Sequence, residues 1–268
     1  MKIYMKGEVK MTIKEMRILF ANDVSDSYGV FKGYITSINE DSNDEESTLI
    51  TTTNSFKDTW DFHYKNKSNP LQFTITLIKS DGTYFDSYEE RAIKKWLVKE
   101  KREWLQIDQD DLSNVFFYCH IINPRKVNVS AMTAGLEFTC VCDSGFAWSD
   151  LKKKMYTSSG NLNFNINSVV DFDNYIIYPK LKITVNSGTA ISIKNNTTNE
   201  VLSISGCTTG EIIEIDCEKD KLKSSTNRIL LSSWNKQMLS IIEGLNLFTL
   251  TGNFSVEIMY RLPMRVGG

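Results

Sequence analysis

The chain has 268 residues, a formal net charge of −2 and 41% hydrophobic residues. This length favours two domains, and the near-neutral charge argues against nucleic-acid binding, because phosphate-binding proteins concentrate lysine and arginine on one face. No apolar run reaches the roughly 20 residues that span a bilayer, and the N-terminus lacks the apolar region of a signal peptide. We therefore expect a soluble protein, synthesised in the cytoplasm, that does not insert into a membrane.

Strands predominate in the first half of the sequence. Residues 11–20 and 29–38 predict opening strands, and an acidic loop and a threonine-rich segment at 48–53 follow them. Beyond Pro70 the predicted order is strand, helix and three further strands, at residues 71–78, 88–101, 104–107, 115–122 and 136–141. This pattern predicts a mainly β N-terminal domain, residues 1–148, that is sandwich- or barrel-like and carries one α-helix.

The helix prediction rests on an apolar stripe and on capping residues. Apolar side chains recur at intervals of three and four residues, at Tyr88, Ala92, Ile93, Trp96 and Leu97. Ser87 and Glu90 have the spacing of a capping box, which satisfies free amide donors at a helix start. Lys99, Lys101 and Arg102 suit the negative end of the helix dipole. The stripe is expected to pack on a core.

All five cysteines are predicted to be free thiols. Their odd number and the lack of a secretory signal argue against disulfides at Cys119, Cys140, Cys142, Cys207 and Cys217. Cys140 and Cys142 share one strand face, and with Cys119 and His120 they are candidates for a zinc site. However, C-x-C is not the C-x2-C spacing of zinc knuckles, and Cys119 and His120 point to opposite faces. We expect these cysteines to act as small buried hydrophobes.

The sequence predicts no catalytic, cofactor-binding or metal-binding residue. His63 and His120 are the only histidines, and neither lies in a recognisable catalytic motif. The acidic loop lacks the ligand order of a calcium-binding loop at Glu40, Asp41, Asp44, Glu45 and Glu46. The phosphate-binding patterns G-x-x-x-x-G-K-S/T and G-x-G-x-x-G are also missing from the sequence. We therefore expect a protein that is not an enzyme.

The second half predicts a separate all-β domain. The basic and serine-rich segment at residues 149–160 is predicted to be a linker, followed by a C-terminal domain at residues 161–268. There, apolar side chains alternate with polar ones in short runs separated by Asn, Thr and Gly turns, which is typical of an antiparallel β-sandwich. Neither Cys207 nor Cys217 has a tryptophan at the spacing of an immunoglobulin core.

A series of segments occurs in a characteristic order along the chain. In the first half these are Tyr28-Gly29, NPLQFTITLI, the helix with Trp96-Leu97, WLQID, FFYCHIINPRKV and LEFTCVCDSGFAW. In the second half they are YPKLKITVNSG, ISIKNN, GEIIEID and GNFSVEIMYR. This order resembles the distal tail protein (Dit) family, the tail components of siphophages that infect Gram-positive bacteria. The family often has Asp-Pro and an aromatic residue where this chain has Asp143, Ser144 and Gly145.

This resemblance implies a structural role in the virion. Similar proteins form a homohexameric ring at the tail tip, so residues 1–148 are expected to close a ring beneath the tail tube protein. A galectin-like C-terminal sandwich is expected to project and to hold hub, fibre, receptor-binding or adsorption proteins. A closed ring needs two different complementary faces on each subunit, and unpaired strand edges of the N-terminal domain are candidates for them.

Two alternative functions stay open from the sequence. A carbohydrate-binding adhesion module would use an aromatic ring against a sugar, and Trp234 is the only tryptophan of the second half. Its leucine neighbours favour a packing role instead. A glycosidase would require two carboxylates about 5 to 10 Å apart across a cleft, and no pair stands out among the acidic residues.

Overall fold

The computed structural model describes residues 17–21, 23–24, 30–35, 70–79, 81–108, 112 and 114–266. The chain separates into two compact units that divide between Ala147 and Trp148, with the residues from Arg265 onward grouped with the first unit. Both units are mainly β and antiparallel, and the described residues contain one short α-helix. The predicted fold class is confirmed.

The strands of the first unit form one antiparallel sheet. They are β1 (Arg17–Phe20), β2 (Asp23–Val24), β3 (Val30–Ile35), β4 (Gln72–Lys79), β5 (Glu103–Asp108), β6 (Phe116–Val129), β7 (Met132–Cys142) and β8 (Ala147–Trp148). The order across the sheet is β2-β1-β5-β6-β7-β4-β3. Inward side chains alternate along β4, β5, β6 and β7, as a sheet with one covered face requires, and include Phe73, Ile75, Leu105, Phe117 and Phe138.

The helix α1 (Ser87–Leu97) confirms the predicted burial of Ile93, Trp96 and Leu97. It corrects the predicted boundaries and the predicted positions of Tyr88 and Ala92. Its N-cap is Asp86, whose carboxylate accepts the amides of Tyr88 and Glu89, so the capping box lies one residue earlier than predicted. The helix ends at Leu97 because Val98 is extended, and the basic residues after it are not helical. Its buried side chains are Glu90, Ile93, Trp96 and Leu97, whereas Tyr88 is 82% exposed and Ala92 is exposed.

Trp96 explains which face of the helix turns inward. Its indole Nε1 donates to the backbone oxygen of Phe20 at 3.1 Å, and both side chains are buried. Ile93 and Leu97 lie three residues before and one after it, and both are 1% exposed. This contact with β1 and the inward position of Glu90 together set the rotation of the helix, so Tyr88 points away from the core although its spacing fits an apolar stripe.

The second unit contains three strands of 16 or 17 residues and several shorter ones. They are β9 (Lys152–Ser168), β10 (Lys180–Asn195), β11 (Glu200–Ser205), β12 (Ile212–Asp216), β13 (Lys221–Ser224), β14 (Gly244–Tyr260) and β15 (Pro263–Met264). The order is β13-β12-β10-β14-β9, with β11 also paired to β10. β12 pairs with the first half of β10 and β11 with its second half.

The long strands bend near their midpoints, so the sheet folds over onto itself. β10 and β14 lose register between Val185 and Ser192, and Gly252 of β14 lies opposite Gly160 of β9. Gly252 has φ +119°, and a Cβ there would lie 2.8 Å from the backbone oxygen of Ala190. Only glycine fits this close approach, and the bend converts one sheet into the two layers of a sandwich.

The predicted linker at residues 149–160 is corrected by this strand arrangement. Residues 152–160 are the first half of β9 and pair with β14 from Lys152↔Tyr260 to Gly160↔Gly252. The basic and serine-rich composition suggested a loop, but it reflects a strand that packs against the rest of the domain on one side only.

In the described part of the chain, we find no helix whose length and apolarity would let it cross a bilayer.

Candidate assembly surfaces

A buried glutamate joins the helix to the β6–β7 hairpin. One carboxylate oxygen of Glu90 accepts hydrogen bonds from Lys126 Nζ at 2.7 Å and from Thr133 Oγ1 at 2.9 Å, and Lys94 Nζ lies 3.7 Å from the other. The hydrogen bond from Lys126 lowers the pKa of Glu90, although burial acts in the opposite direction. The backbone amide of Phe85 also donates to the oxygen of Thr133 at 2.9 Å. These hydrogen bonds join the helix start and the hairpin into one packed element.

This element exposes a group of apolar side chains that we name the helix–hairpin patch. β5 pairs with residues 116–119 of β6 and β4 with residues 135–141 of β7, so the end of the hairpin extends past both described neighbours. Val129 and Met132 at the hairpin end are 53% and 54% exposed, and Tyr84 and Tyr88 beside the bridge to Thr133 are 44% and 82% exposed. Exposed large apolar side chains on a projecting element indicate a contact surface.

The helix–hairpin patch is not predictable from the sequence patterns. Tyr88 was assigned to the buried stripe, and the strand at 115–122 was predicted to end before the projecting part of the hairpin. A turn signal exists in the sequence, since the small residues Ser130 and Ala131 separate two apolar residues, and Ser130 has φ +57° in the structure. This turn signal indicates a hairpin, but the sequence carries no signal that the apolar residues at its end face solvent.

A second surface lies along the outer edge of β9. This strand pairs with β14 over its whole length and with no other described strand. Three consecutive lysines occupy the start of the edge, which discourages pairing with another strand. The other half presents uncharged outward side chains, Asn161, Asn163, Asn165 and Asn167, beside the exposed Leu245 and Leu247 of β14. This half of the edge is open to strand addition.

The structure brings the three N-terminal cysteines together. Cys119 of β6 lies opposite Cys142 of β7, Cys140 is the next inward residue of β7, and all three are at most 1% exposed. Burial raises the pKa of the Cys140 and Cys142 thiols well above the ordinary value. His120 is only partly buried, and burial followed by the charge of Arg102 lowers its pKa. Within the described ranges no group of His, Cys, Asp or Glu side chains is placed to hold a metal ion.

The remaining candidates from the sequence divide between described and undescribed positions. His63 and the acidic residues Glu40, Asp41, Asp44, Glu45 and Glu46 lie outside the described residues, as does the threonine-rich segment at 48–53. Trp234 is half-buried, and its indole Nε1 donates to the backbone oxygen of Gln237 at 3.0 Å. Cys207 and Cys217 are buried free thiols.

Each of the two units matches a known protein family. Residues 16–144 match a family described as a phage tail protein N-terminal domain, and residues 146–260 match a phage tail C-terminal domain. The chain belongs to this family of phage tail proteins. Its two matched segments meet within a few residues of the division between the two units, and a tail component is part of the virion.

One solved structure shows the same fold as this phage tail protein, and a second is a weaker match. The Dit protein (gp 19.1) of phage SPP1, described as a paradigm of the hub adsorption apparatus in phages that infect Gram-positive bacteria, matches with a TM-score of 0.60 and 6% identity over 93% of this chain and 100% of that chain. The activated baseplate of phage p2 with Sr matches with a TM-score of 0.44 and 10% identity over 70% and 78% of the two chains. No curated protein matches the sequence significantly.

Proposed function

We propose that this phage tail protein is the hub of a tail tip. Six copies form a ring that joins the tail tube to receptor-binding, fibre or adsorption proteins, and the role is structural and not enzymatic. The observation that carries the proposal is the likeness of fold to the SPP1 Dit protein across 93% of this chain and the whole of that chain. The order of the N- and C-terminal tail domains within one polypeptide supports it.

The N-terminal domain is the part that we expect to close the ring. A cyclic hexamer uses heterologous interfaces, in which one face of a subunit contacts a different face of its neighbour. The helix–hairpin patch supplies one such face, because it projects from the sheet and exposes Val129 and Met132 on a hairpin fixed by Glu90. Its occupant in this proposal is the N-terminal domain of the adjacent copy.

Light scattering on the purified full-length protein tests self-assembly. We expect a species with six times the mass of the 30.7 kDa chain, which becomes more populated as protein concentration rises. Val129→Lys combined with Met132→Lys is expected to shift the population towards the monomer, because an apolar contact would then bury two unpaired charges. If the sixfold species of the original protein persists at both low and high salt, burial of apolar side chains holds the ring together.

A matched control uses exposed apolar residues of the C-terminal domain. Ile229 and Leu231 are 81% and 63% exposed, so Ile229→Lys combined with Leu231→Lys changes the charge equally without touching the patch. This control is expected to keep the ring. If the patch variant still forms the ring, the subunit interface lies outside the helix–hairpin patch. A reconstruction of the intact tail tip in which this chain does not occupy sixfold positions would reject the hub proposal.

A further inference from the structure

The outer face of the C-terminal sandwich contains an open groove of about 460 Å³. Its floor is formed by β10, β11 and the bend of β14, and its wall by the segment that carries Trp234 and Asn235. Asn235 fixes this wall: its Nδ2 donates to the oxygen of Val201 at 2.6 Å, and its Oδ1 accepts the amide of Ser203 at 3.1 Å. The wall of the groove is therefore held to the edge of β11 by hydrogen bonds.

Hydroxyl groups are aligned across the floor of the groove. Ser203 of β11 lies opposite Ser192 of β10, and Ser192 lies opposite Thr251 of β14. The row continues to Asn161 of β9, which lies opposite Thr251. Neighbouring strands are separated by about 4.8 Å, so the row presents hydrogen-bonding groups at a regular interval across the sheet. Among described residues, none donates to or accepts from the hydroxyls of Ser192, Ser203 and Thr251, which leaves them available to a ligand.

The chemistry of the lining restricts the ligand class. Every residue that lines the groove is uncharged, and five of the twelve are serines. No lining residue carries a charge that could pair with an anionic ligand or a charged peptide. Arg228 contacts the backbone oxygen of Ser205, but its guanidinium is paired with Glu211. A ligand with many neutral hydroxyls can both donate to and accept from serine and threonine. The partly exposed indole of Trp234 beside these hydroxyls adds an apolar surface for the C–H face of a sugar ring.

We propose that this groove binds a neutral polysaccharide of a cell surface. The polymer lies across β11, β10 and β14, with its hydroxyls bonded to Ser203, Ser192 and Thr251 and one sugar ring against Trp234. The volume falls within the range of about 300–1,000 Å³ that is typical of ligand sites, and the open form of the groove lets a chain continue beyond it. The proposal does not depend on ring formation, since all the groups belong to one C-terminal domain.

Calorimetric titration of the full-length protein tests the proposal. The probes are neutral tetrasaccharides of glucose, galactose and N-acetylglucosamine, with tetragalacturonate as the charged comparison. We expect at least one neutral tetrasaccharide to bind and tetragalacturonate not to bind. Thr251→Val combined with Ser203→Ala removes two hydroxyls while preserving side-chain volume and is expected to weaken the affinity by about tenfold.

The matched control carries the same two substitutions elsewhere on the domain. Thr157 Oγ1 and Ser255 Oγ lie 2.9 Å apart on β9 and β14, outside the groove, and the control is Thr157→Val combined with Ser255→Ala. It is expected to bind the tetrasaccharide like the original protein. Circular dichroism melting establishes that both variants are folded. The proposal would be overturned if no neutral tetrasaccharide bound. It would also be overturned if the groove variant bound as tightly as the original protein, or if the control lost as much affinity as the groove variant.

Discussion

The rings of Tyr156 and Phe164 stack at a centroid distance of 3.7 Å, although both residues belong to the same strand. In a straight strand, residues so far apart in sequence would be separated by about 26 Å. β9 therefore turns back on itself near Gly160, and the two halves of the strand face each other. Phe164 also stacks on Phe248 of β14 at a centroid distance of 5.2 Å, so the three aromatic rings form one stacked cluster.

A double-mutant cycle on Tyr156 and Phe164 is expected to measure this contact. Tyr156→Ala, Phe164→Ala and the double variant should give a coupling free energy of about 0.5–1.5 kcal/mol in urea unfolding, because stacked rings contribute beyond their burial. A cycle that pairs Tyr156→Ala with Phe73→Ala in the other domain serves as the control and should show little coupling. Additive effects of Tyr156 and Phe164 would show that the two layers do not meet there.

Gly252→Ala is expected to destabilise the C-terminal domain more than Gly160→Ala. Both glycines have positive φ, so each substitution costs roughly 1–3 kcal/mol of backbone strain. Only at Gly252 would the added Cβ meet a backbone atom, the oxygen of Ala190 at 2.8 Å, while nothing lies within 4 Å at Gly160. We expect a further cost of roughly 1–3 kcal/mol in the free energy of unfolding. Equal effects at the two positions would argue against the close approach.

The Arg228–Glu211 ion pair is expected to be essential for the loop around it. Arg228 Nε donates to Glu211 Oε1 at 2.7 Å, and the Glu211 side chain is fully buried. Burial raises the pKa of Glu211, but hydrogen bonds from Arg228 and Ser224 offset it, and the pKa is lowered. Arg228→Met should cost about 3–5 kcal/mol because it leaves a buried unpaired charge. Adding Glu211→Gln should recover part of this loss in thermal unfolding, and no recovery would contradict the pairing.

Glu90 is expected to make the N-terminal domain sensitive to acid. Its folded-state pKa lies below the ordinary value of 4.5, so its contribution is complete above about pH 4.5 and is lost as the pH falls through the lowered pKa. Glu90→Gln should reduce stability by about 1–3 kcal/mol at pH 7 and have a smaller effect at low pH. Urea unfolding between pH 3 and 7 measures this, with the exposed Glu214→Gln as control. A Glu90→Gln effect that does not change with pH would contradict the assignment.

The helix shows how far local sequence information reaches. Its existence and approximate position followed from the spacing of apolar residues, because an amphipathic helix needs one apolar face whatever its surroundings. Its rotation did not follow, since Tyr88 and Glu90 both fit an inward position by spacing alone. Lys126 and Thr133, which are distant in sequence, pair with Glu90 and decide that the carboxylate is buried and the tyrosine exposed.

The candidate surfaces were less predictable than the fold. Trp234 was identified as a possible sugar contact, but the serine and threonine row beside it depends on the register of three strands from separate parts of the chain. The three cysteines were expected to be buried, and two of them were placed on one face from their spacing. The position of Cys119 opposite Cys142 required the pairing of β6 with β7.

The sequence by itself determined that this protein is mainly β, has two domains and carries an amphipathic helix in the first of them. These properties follow from periodicities of two and about 3.6 residues, which depend on the local backbone alone. Only the tertiary structure decided that residues 152–160 are a strand, that β9 folds back at Gly160, and that hydroxyls align across the groove. These features arise where distant segments meet, because a bend or a register is stable only through the contacts that it creates.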